Sequence, residues 1–244
     1  MIPSNSCNVR GECCLTPSQA AFVEMLVFAE TLSNNITLAD PNSPQYKAVE
    51  WLAQDKIDHG SNWSGYELLQ RYVLRVLYVS TNGDNWSNNA PTTWFVGGLS
   101  VCQWPEVNSV DLFCNGNGQQ VDRIDLGDDN LQGEIPSQLG QLTALTDLSL
   151  FDNQLTGTIP IALTQLTNLE ALTLYNNNLT GQVPSGFCAA PFPDWRADGW
   201  TTRNILRADC MSEVQCDCCD ICFDESGNLF CWYGSGFTSN SFEC

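Results

Sequence analysis

The spacing of apolar residues changes character partway along the chain. In the first third it is helical. The run "AAFVEMLVFAETL" predicts an amphipathic helix interrupted by Glu24 and Glu30, and just ahead of it Thr16, Pro17 and Gln19 supply an N-cap, a first-turn proline and a reciprocal capping partner. "PQYKAVEWLAQ" predicts a second helix, and the intervening "NNITLADPNSP" reads as a loop because of its prolines and asparagines. In "GYELLQRYVLRVLYV", Leu68, Tyr72, Arg75, Val76 and Val79 fall about one turn apart, with Leu69, Val73 and Leu77 widening the stripe. That third helix should stop at "STNGDNW", where Asn82 and Gly83 can supply a left-handed termination. "FVGGLSVCQWPEVNSVDLFC" then places two cysteines around a tryptophan in a strand-like alternation, which predicts a lid on the segment after Cys114.

That segment is a repeat. "VDRIDLGDDNLQGEIP", "LTDLSLFDNQLTGTIP" and "LEALTLYNNNLTGQVP" begin at Val121, Leu145 and Leu169, 24 residues apart. Ile124 and Leu126, Leu148 and Leu150, Leu172 and Leu174 alternate with polar residues, so each copy should start with a short strand, stacked in parallel on the next. Leu131, Leu155 and Leu179, then Ile135, Ile159 and Val183, turn the apolar side inward again. One coil cannot bury these side chains by itself, so the coils must stack and their ends must be covered. Asn153 and Asn177 can both donate and accept at the inner turn, whereas Asp129 of the first coil only accepts when ionised, which places that coil at the boundary with the lid. The expected architecture is an α/β solenoid, short and right-handed, with a helical N-terminal cap and a disulfide-rich C-terminal cap. Its expected parts are a Cys-bearing helical segment at 1–60, a helical cap at 61–120, repeats at 121–187 with the last copy partial, and a Cys-rich cap at 188–244.

Charge and cysteine content narrow the function. Across 244 residues, 28 Asp and Glu oppose 9 Lys and Arg, a formal charge of −19. Such a chain would be repelled by nucleic acid and anionic membrane surfaces. Its 13 cysteines point to disulfides and an oxidising compartment. Sequons at Asn35, Asn62, Asn85 and Asn178 agree, and together these features predict a secreted or cell-surface glycoprotein. No apolar run is long enough to span a membrane, and "MIPSNSCNVR" lacks the basic and apolar regions of a signal peptide, so an exported protein would correspond here to a mature form or a fragment.

The repeats resemble the plant-type leucine-rich repeat, LxxLxLxxNxLxGxIP, over residues 121 to 187, with the strand around Val110 to Leu112 as a candidate degenerate fourth. "Cys-x-Trp" at Cys102 to Trp104 resembles that family's N-terminal cap, although Cys114 comes later than the family's second cysteine. "LYVSTNGDNW" and the cysteine-dense tail resemble secreted or cell-surface repeat proteins of diatoms and related algae. The resemblance implies an extracellular recognition role of the kind found in receptor ectodomains and in inhibitors of secreted polysaccharide hydrolases.

Strand alternation puts Arg123, Asp125, Asp147, Ser149, Ala171 and Thr173 on the face opposite the leucines, with Gly127, Asp128, Phe151, Asp152, Tyr175 and Asn176 just beyond. Phe151 and Tyr175 should be neighbours, as should Asp128 and Asp152. An aromatic pair rimmed by acids and amides suits a partner's side chains or the face of a sugar, so the expected ligand is an extracellular protein or carbohydrate. In the tail, Cys216, Cys218, Cys219 and Cys222 have spacing compatible with zinc, but a disulfide-stapled cap fits the oxidising context better. With Cys188, Cys210, Cys231 and Cys244 they make an even set whose connectivity stays open, Cys188 with Cys210 being the first pairing to test. Cys102 can pair with Cys114, which leaves Cys7, Cys13 and Cys14 as an odd set, a route to a disulfide-linked or self-assembled oligomer through the N-terminal segment. The single histidine, His59, has no nucleophile motif beside it, so neither catalysis, a metal nor a cofactor is expected. A self-associating matrix protein, or one that binds ice or mineral surfaces, are the rival readings.

Overall fold

The computed structural model describes residues 16–32, 35–60, 63, 65–87, 94–104 and 111–188, together with the backbone of five strands between 205 and 237. Four helices come first. Helix α1 (Pro17–Glu30) starts at the foreseen capping box: the Thr16 hydroxyl accepts from the Gln19 amide at 3.2 Å and the Gln19 side chain accepts from the Thr16 amide at 2.9 Å. The stretch read as a loop contains a helical turn, α2 (Asn35–Ala39). Tertiary packing explains that difference, because Leu38 is buried and the Ser43 hydroxyl donates to the Thr37 carbonyl at 2.5 Å. Helix α3 (Pro44–His59) is capped by Ser43 and ends at Gly60 in the left-handed region. Helix α4 (Gly65–Ser80) is followed by Asn82 at φ 59°, which makes the left-handed termination. Gly83 has a different reason to be glycine: the Tyr78 ring lies where its Cβ would go.

Helix α4 is buried on more sides than its stripe foretold. Gln70, Arg71 and Leu74 have no exposed surface, because α4 packs against α3 on one side and the first coil on the other. Gln70 bridges the two parts, accepting from the Val121 amide at 2.6 Å and donating to the Gln119 carbonyl at 3.1 Å. The chain just after α4 completes the join. Thr81 O accepts from Gln132 N at 3.0 Å, Ser87 N donates to Asp129 O at 2.9 Å, and Asn130 Nδ2 donates to Asn85 O at 2.9 Å. Backbone groups that a preceding coil would satisfy are therefore met by residues 81–87, which accounts for Asp129 standing where the later coils have asparagine.

Strand β1 (Leu112–Cys114) runs antiparallel to β2 (Val121–Asp125), with Leu112 opposite Ile124. It closes the sheet rather than adding a parallel repeat, which corrects the reading of this strand as a fourth copy. A disulfide joins Cys102 to Cys114. Beyond β2 the chain coils. After β3 (Gln132–Glu134) come β4 (Asp147–Ser149), β5 (Gln154–Thr156), β6 (Ala171–Thr173) and β7 (Gly181–Gln182). Strands β2, β4 and β6 pair in parallel with Ile124, Leu148 and Leu172 in register, all buried. Strands β3 and β5 form a second, shorter parallel pair on the far side of the coil. There Gly133 adopts φ 116°, and a Cβ would collide with the Ser80 carbonyl, so close approach of α4 requires glycine.

The sheet does not stop at residue 187. Strand β8 (Ile205–Ala208) pairs in parallel with β6, Leu206 in register with Leu172, and β9 (Val214–Gln215) pairs in parallel with β7. Strand β10 (Ile221–Phe223) continues in parallel from β8, and β11 (Leu229–Tyr233) and β12 (Gly236–Phe237) finish with antiparallel turns. The tail thus adds rungs to the same sheet, across the boundary expected between repeats and Cys-rich cap. The side chains of its eight cysteines, Cys7, Cys13 and Cys14, and the sequon side chains of Asn35 and Asn62 lie outside the described residues. No helix among the described residues is long and apolar enough to cross a membrane.

Candidate functional site

The face opposite the leucines is built by register. Pairing aligns Arg123, Asp147 and Ala171 in one row and Asp125, Ser149 and Thr173 in the next. Strand β8 extends the second row, with Arg207 in register beside Thr173. Each strand then turns through a left-handed residue at an equivalent position: Asp128 at φ 58°, Asp152 at φ 53° and Asn176 at φ 55°. Short polar side chains tolerate that conformation better than most. The turns are held by their neighbours, since Asp128 N donates to Phe151 O at 3.0 Å and Asp152 N to Tyr175 O at 3.1 Å. Asn176 Nδ2 also donates to Asp152 Oδ1 at 2.5 Å.

Beneath the turns lies the asparagine ladder expected from the repeat. Asn153 Nδ2 donates to the carbonyls of Leu126, Leu150 and Phe151 at 2.7, 3.1 and 3.0 Å, while its Oδ1 accepts from the amides of Asp129 and Leu131 at 3.2 and 2.9 Å. Asn177 repeats the pattern one coil on, accepting from Leu155 N at 3.0 Å. This buried scaffold fixes the backbone from which Phe151 and Tyr175 project. Their rings are 5.1 Å apart and inclined by 14°, a stacked pair. On its other side Phe151 lies directly over Gly127, where any Cβ would overlap three ring atoms. Phe151 is thus enclosed between Gly127 and Tyr175 and presents mainly its edge, a poor surface for stacking a sugar ring and a good one for a side chain laid across it.

Arg123 is the cation of these rows on β2, with Arg207 following on β8, and the Arg123 guanidinium leans toward β1, 5.0 Å from the Phe113 ring. Asp122, Asp125, Asp128, Asp147 and Asp152 form no ion pair among the described residues. Asp147 takes one hydrogen bond from the Thr146 hydroxyl at 2.7 Å. Burial, and then the Asp147 charge, push the Asp122 carboxyl above the ordinary carboxylate range. The residues singled out from the sequence therefore stand as two rows and a turn on one face. Two details differ from expectation: the Thr173 hydroxyl is buried with no hydrogen-bond partner among the described residues, and Phe113 and Asp122 join the face although strand alternation in the repeats alone did not select them.

A second cluster escaped the sequence reading altogether. Arg71 is fully buried, its guanidinium 5.1, 4.5 and 5.4 Å from the rings of Trp51, Trp63 and Trp104. Asp55 pairs with it at 2.9 Å and Glu67 at 3.6 Å, and Leu99 O accepts from it at 2.6 Å. Burial lowers the pKa of Arg71, against the pull of both carboxylates. Arg75 is held against Tyr78 and Phe95, and burial together with a donor bond to Asp84 pushes Tyr78 up to about 12. The cluster anchors the loop carrying Cys102: Gly98 N donates to Asp55 and Val101 N to Glu67. His59 belongs here, its Nδ1 3.2 Å from Asp55 Oδ1 and its ring packed on Gly97 and Gly98. The sequence signal was the pair of arginines on the apolar stripe of α4, with Glu67 one turn before Arg71 and tryptophans spread from residue 51 to 104.

The Leucine Rich Repeat family profile matches residues 144–166 and 168–190. No curated protein matches the chain. Among solved structures, PEPR1 with AtPEP1 is 21% identical over 47% of this chain and 15% of that one, with a TM-score of 0.37. The BIR3–SERK2 complex from Arabidopsis thaliana is 40% identical over 27% of this chain and 35% of that one, with a TM-score of 0.26. The ectodomain of the receptor kinase SOBIR1 from Arabidopsis thaliana is 24% identical over 47% of this chain and 57% of that one, with a TM-score of 0.35. The chain spans less than two thirds of the length of each.

Proposed function

We propose that this plant-type leucine-rich repeat protein is an extracellular recognition module that holds a protein or carbohydrate ligand on the strand face of β2, β4 and β6. One observation carries the reading: a stacked aromatic pair, Phe151 and Tyr175, stands partly exposed on a face whose backbone is fixed from below by the asparagine ladder. Aromatic side chains that the leucine core does not use are the usual centres of protein interfaces. Partner chemistry of the receptor-ectodomain or hydrolase-inhibitor kind would use that face, with α4 serving as the helical cap and the tail as a disulfide-rich one. Secretion or cell-surface display accords with the cysteine content and sequons. Asn85 and Asn178 are both exposed, which suits glycosylation. The protein acts by binding and not by catalysis, His59 being occupied with Asp55 and the Gly97–Gly98 turn.

Of the rivals, self-association through the N-terminal segment predicts assembly that rises with concentration. Ice or mineral binding needs a regular exposed array of small polar groups, and the buried Thr173 hydroxyl shortens the one such row. The deciding test is capture from the native extracellular medium by the intact protein and by the Phe151→Ala/Tyr175→Ala variant. The double variant should lose capture by a few kcal/mol while its unfolding midpoint stays near that of the parent. Undiminished capture by the variant would end this reading.

A further inference from the structure

The two arginines of α4 stand one turn apart and are served differently. Arg71 is matched: Asp55 Oδ2 accepts from its Nη2 at 2.9 Å, Leu99 O accepts from its Nη1 at 2.6 Å and Glu67 lies 3.6 Å away, so that only its Nε lacks an acceptor. Arg75 donates no hydrogen bond and forms no ion pair among the described residues, and its Nε is buried without an acceptor. The guanidinium is nevertheless held in place, 4.9, 5.0 and 5.8 Å from the rings of Phe95, Tyr78 and Trp51. Asp84, whose charge reaches it, is not an ion-pair partner and takes the Tyr78 hydroxyl on Oδ1 at 2.7 Å. Burial lowers the pKa of Arg75, against the pull of Tyr78 and Asp84. The shelf beneath the guanidinium is itself strained. Phe95 sits at φ 62°, a left-handed conformation that a bulky side chain seldom adopts, and its ring packs among Trp51, Tyr78, Trp94 and Trp104. Strain of this kind persists where the surroundings over-determine a conformation, and it gathers at ligand sites.

We propose that Arg75 is a second binding site of this protein, which takes a carboxylate of a polypeptide ligand on a guanidinium fixed in advance by Trp51, Tyr78 and Phe95. The site lies on the helical module and does not depend on the strand face. An arginine laid on ring faces keeps the edge of its planar fork for an acceptor, and two parallel N–H groups of that fork match the two oxygens of a carboxylate. A sugar acid would need an open ring face as well, whereas Phe95 is enclosed by Trp51, Tyr78, Trp94 and Trp104, and the Trp51 ring already has Arg71 and Arg75 against it. With a formal charge of −19 the chain repels a run of acids, so the carboxylate should stand alone among neutral or basic residues.

The test uses the full chain, disulfides intact and arginines labelled with nitrogen-15, and three short leucine–serine peptides. One carries a single central Glu with both ends blocked, the second has Gln in its place, and the third is the Gln peptide with a free C-terminal carboxylate. Side-chain Nε–Hε resonances report which guanidinium each peptide reaches, and the titration gives its affinity. A peptide bearing a carboxylate should shift the Arg75 resonance and leave that of Arg71 in place, while the blocked Gln peptide shifts neither; whichever carboxylate binds identifies its source. Arg75→Gln should weaken binding about tenfold or more, and Arg75→Lys should restore only part, since it returns the charge without the fork. Lys47→Gln removes an exposed cation from α3 and should leave affinity within about twofold. Equal binding of the blocked Gln peptide, undiminished binding by a folded Arg75→Gln protein, or equal weakening by Lys47→Gln would overturn the proposal. Should Arg75→Gln fail to fold, an Arg75 resonance that stays still in the parent at saturating Glu and free-terminus peptides would overturn it as well.

Discussion

Asp55→Asn should destabilise the helical module far more than Glu67→Gln, although both carboxylates face the same buried guanidinium. Distance alone does not separate them: at an effective dielectric of about 20, attractions across 2.9 and 3.6 Å come to roughly 6 and 5 kcal/mol. Hydrogen bonding does. Asp55 Oδ2 accepts from Arg71 Nη2 at 2.9 Å and Trp63 Nε1 at 2.8 Å, and Oδ1 accepts from Gly98 N at 3.2 Å with His59 Nδ1 equally close. An asparagine there must turn its own N–H groups toward one of these donors. Glu67 accepts a single main-chain bond, from Val101 at 2.8 Å, which the glutamine oxygen can keep, and burial already disfavours its charge. The expected losses are about 3 to 5 kcal/mol for Asp55→Asn and under about 1.5 kcal/mol for Glu67→Gln. Against a total stability of roughly 5 to 15 kcal/mol, the first is severe. Denaturant unfolding with disulfides intact, followed by tryptophan fluorescence, reads the effect directly, because three tryptophan rings surround Arg71. Equal losses in the two single variants, or an Asp55→Asn protein as stable as the parent, would refute the argument.

Asn153→Ala strands the buried amides of Asp129 and Leu131 and should cost about 2 to 4 kcal/mol. Asn153→Asp should be no better, since a carboxylate would face the carbonyls of Leu126, Leu150 and Phe151; thermal unfolding compares the two, and a neutral Asp variant would contradict the ladder's role. Because the folded pKa of Asp122 is raised, its protonated form is the one the fold favours. Its contribution is present below the unfolded carboxylate pKa and is lost as pH rises through the folded value, so Asp122→Asn should melt above the parent at about pH 7 and level with it near pH 3.5. A reductant, and not a chelator, should release β1 from the sheet edge by opening Cys102–Cys114, and the same contrast should hold for the tail; protease mapping after each treatment checks both, and loss of structure on chelation would favour zinc.

Local rules sufficed wherever one stretch of chain specifies its own conformation. Thr16 with Gln19, the left-handed Asn82, and the period that aligns Ile124, Leu148 and Leu172 were all legible, because capping and coil stacking depend on residues near in sequence or equivalent in the repeat. The same period placed Phe151 beside Tyr175, since residues 24 apart occupy adjacent rungs. Where a contact joins unlike segments, only the tertiary structure decided. Leu38 makes α2 a helix by being buried, against the proline and asparagine signal around it. The direction of β1 depends on the Cys102–Cys114 bridge and on a short return to Val121, neither of which alternation encodes. Strand β8 joins the sheet with Ile205 beside Ala171, 34 residues apart, a departure from the period that hides a rung from any search for repeats. Arg71 reads as a charge on an apolar stripe until α3 and the Cys102 loop bring Asp55, Glu67 and three tryptophans around it. Burial of a charge is a property of everything packed against it, and so it is settled by the assembled fold.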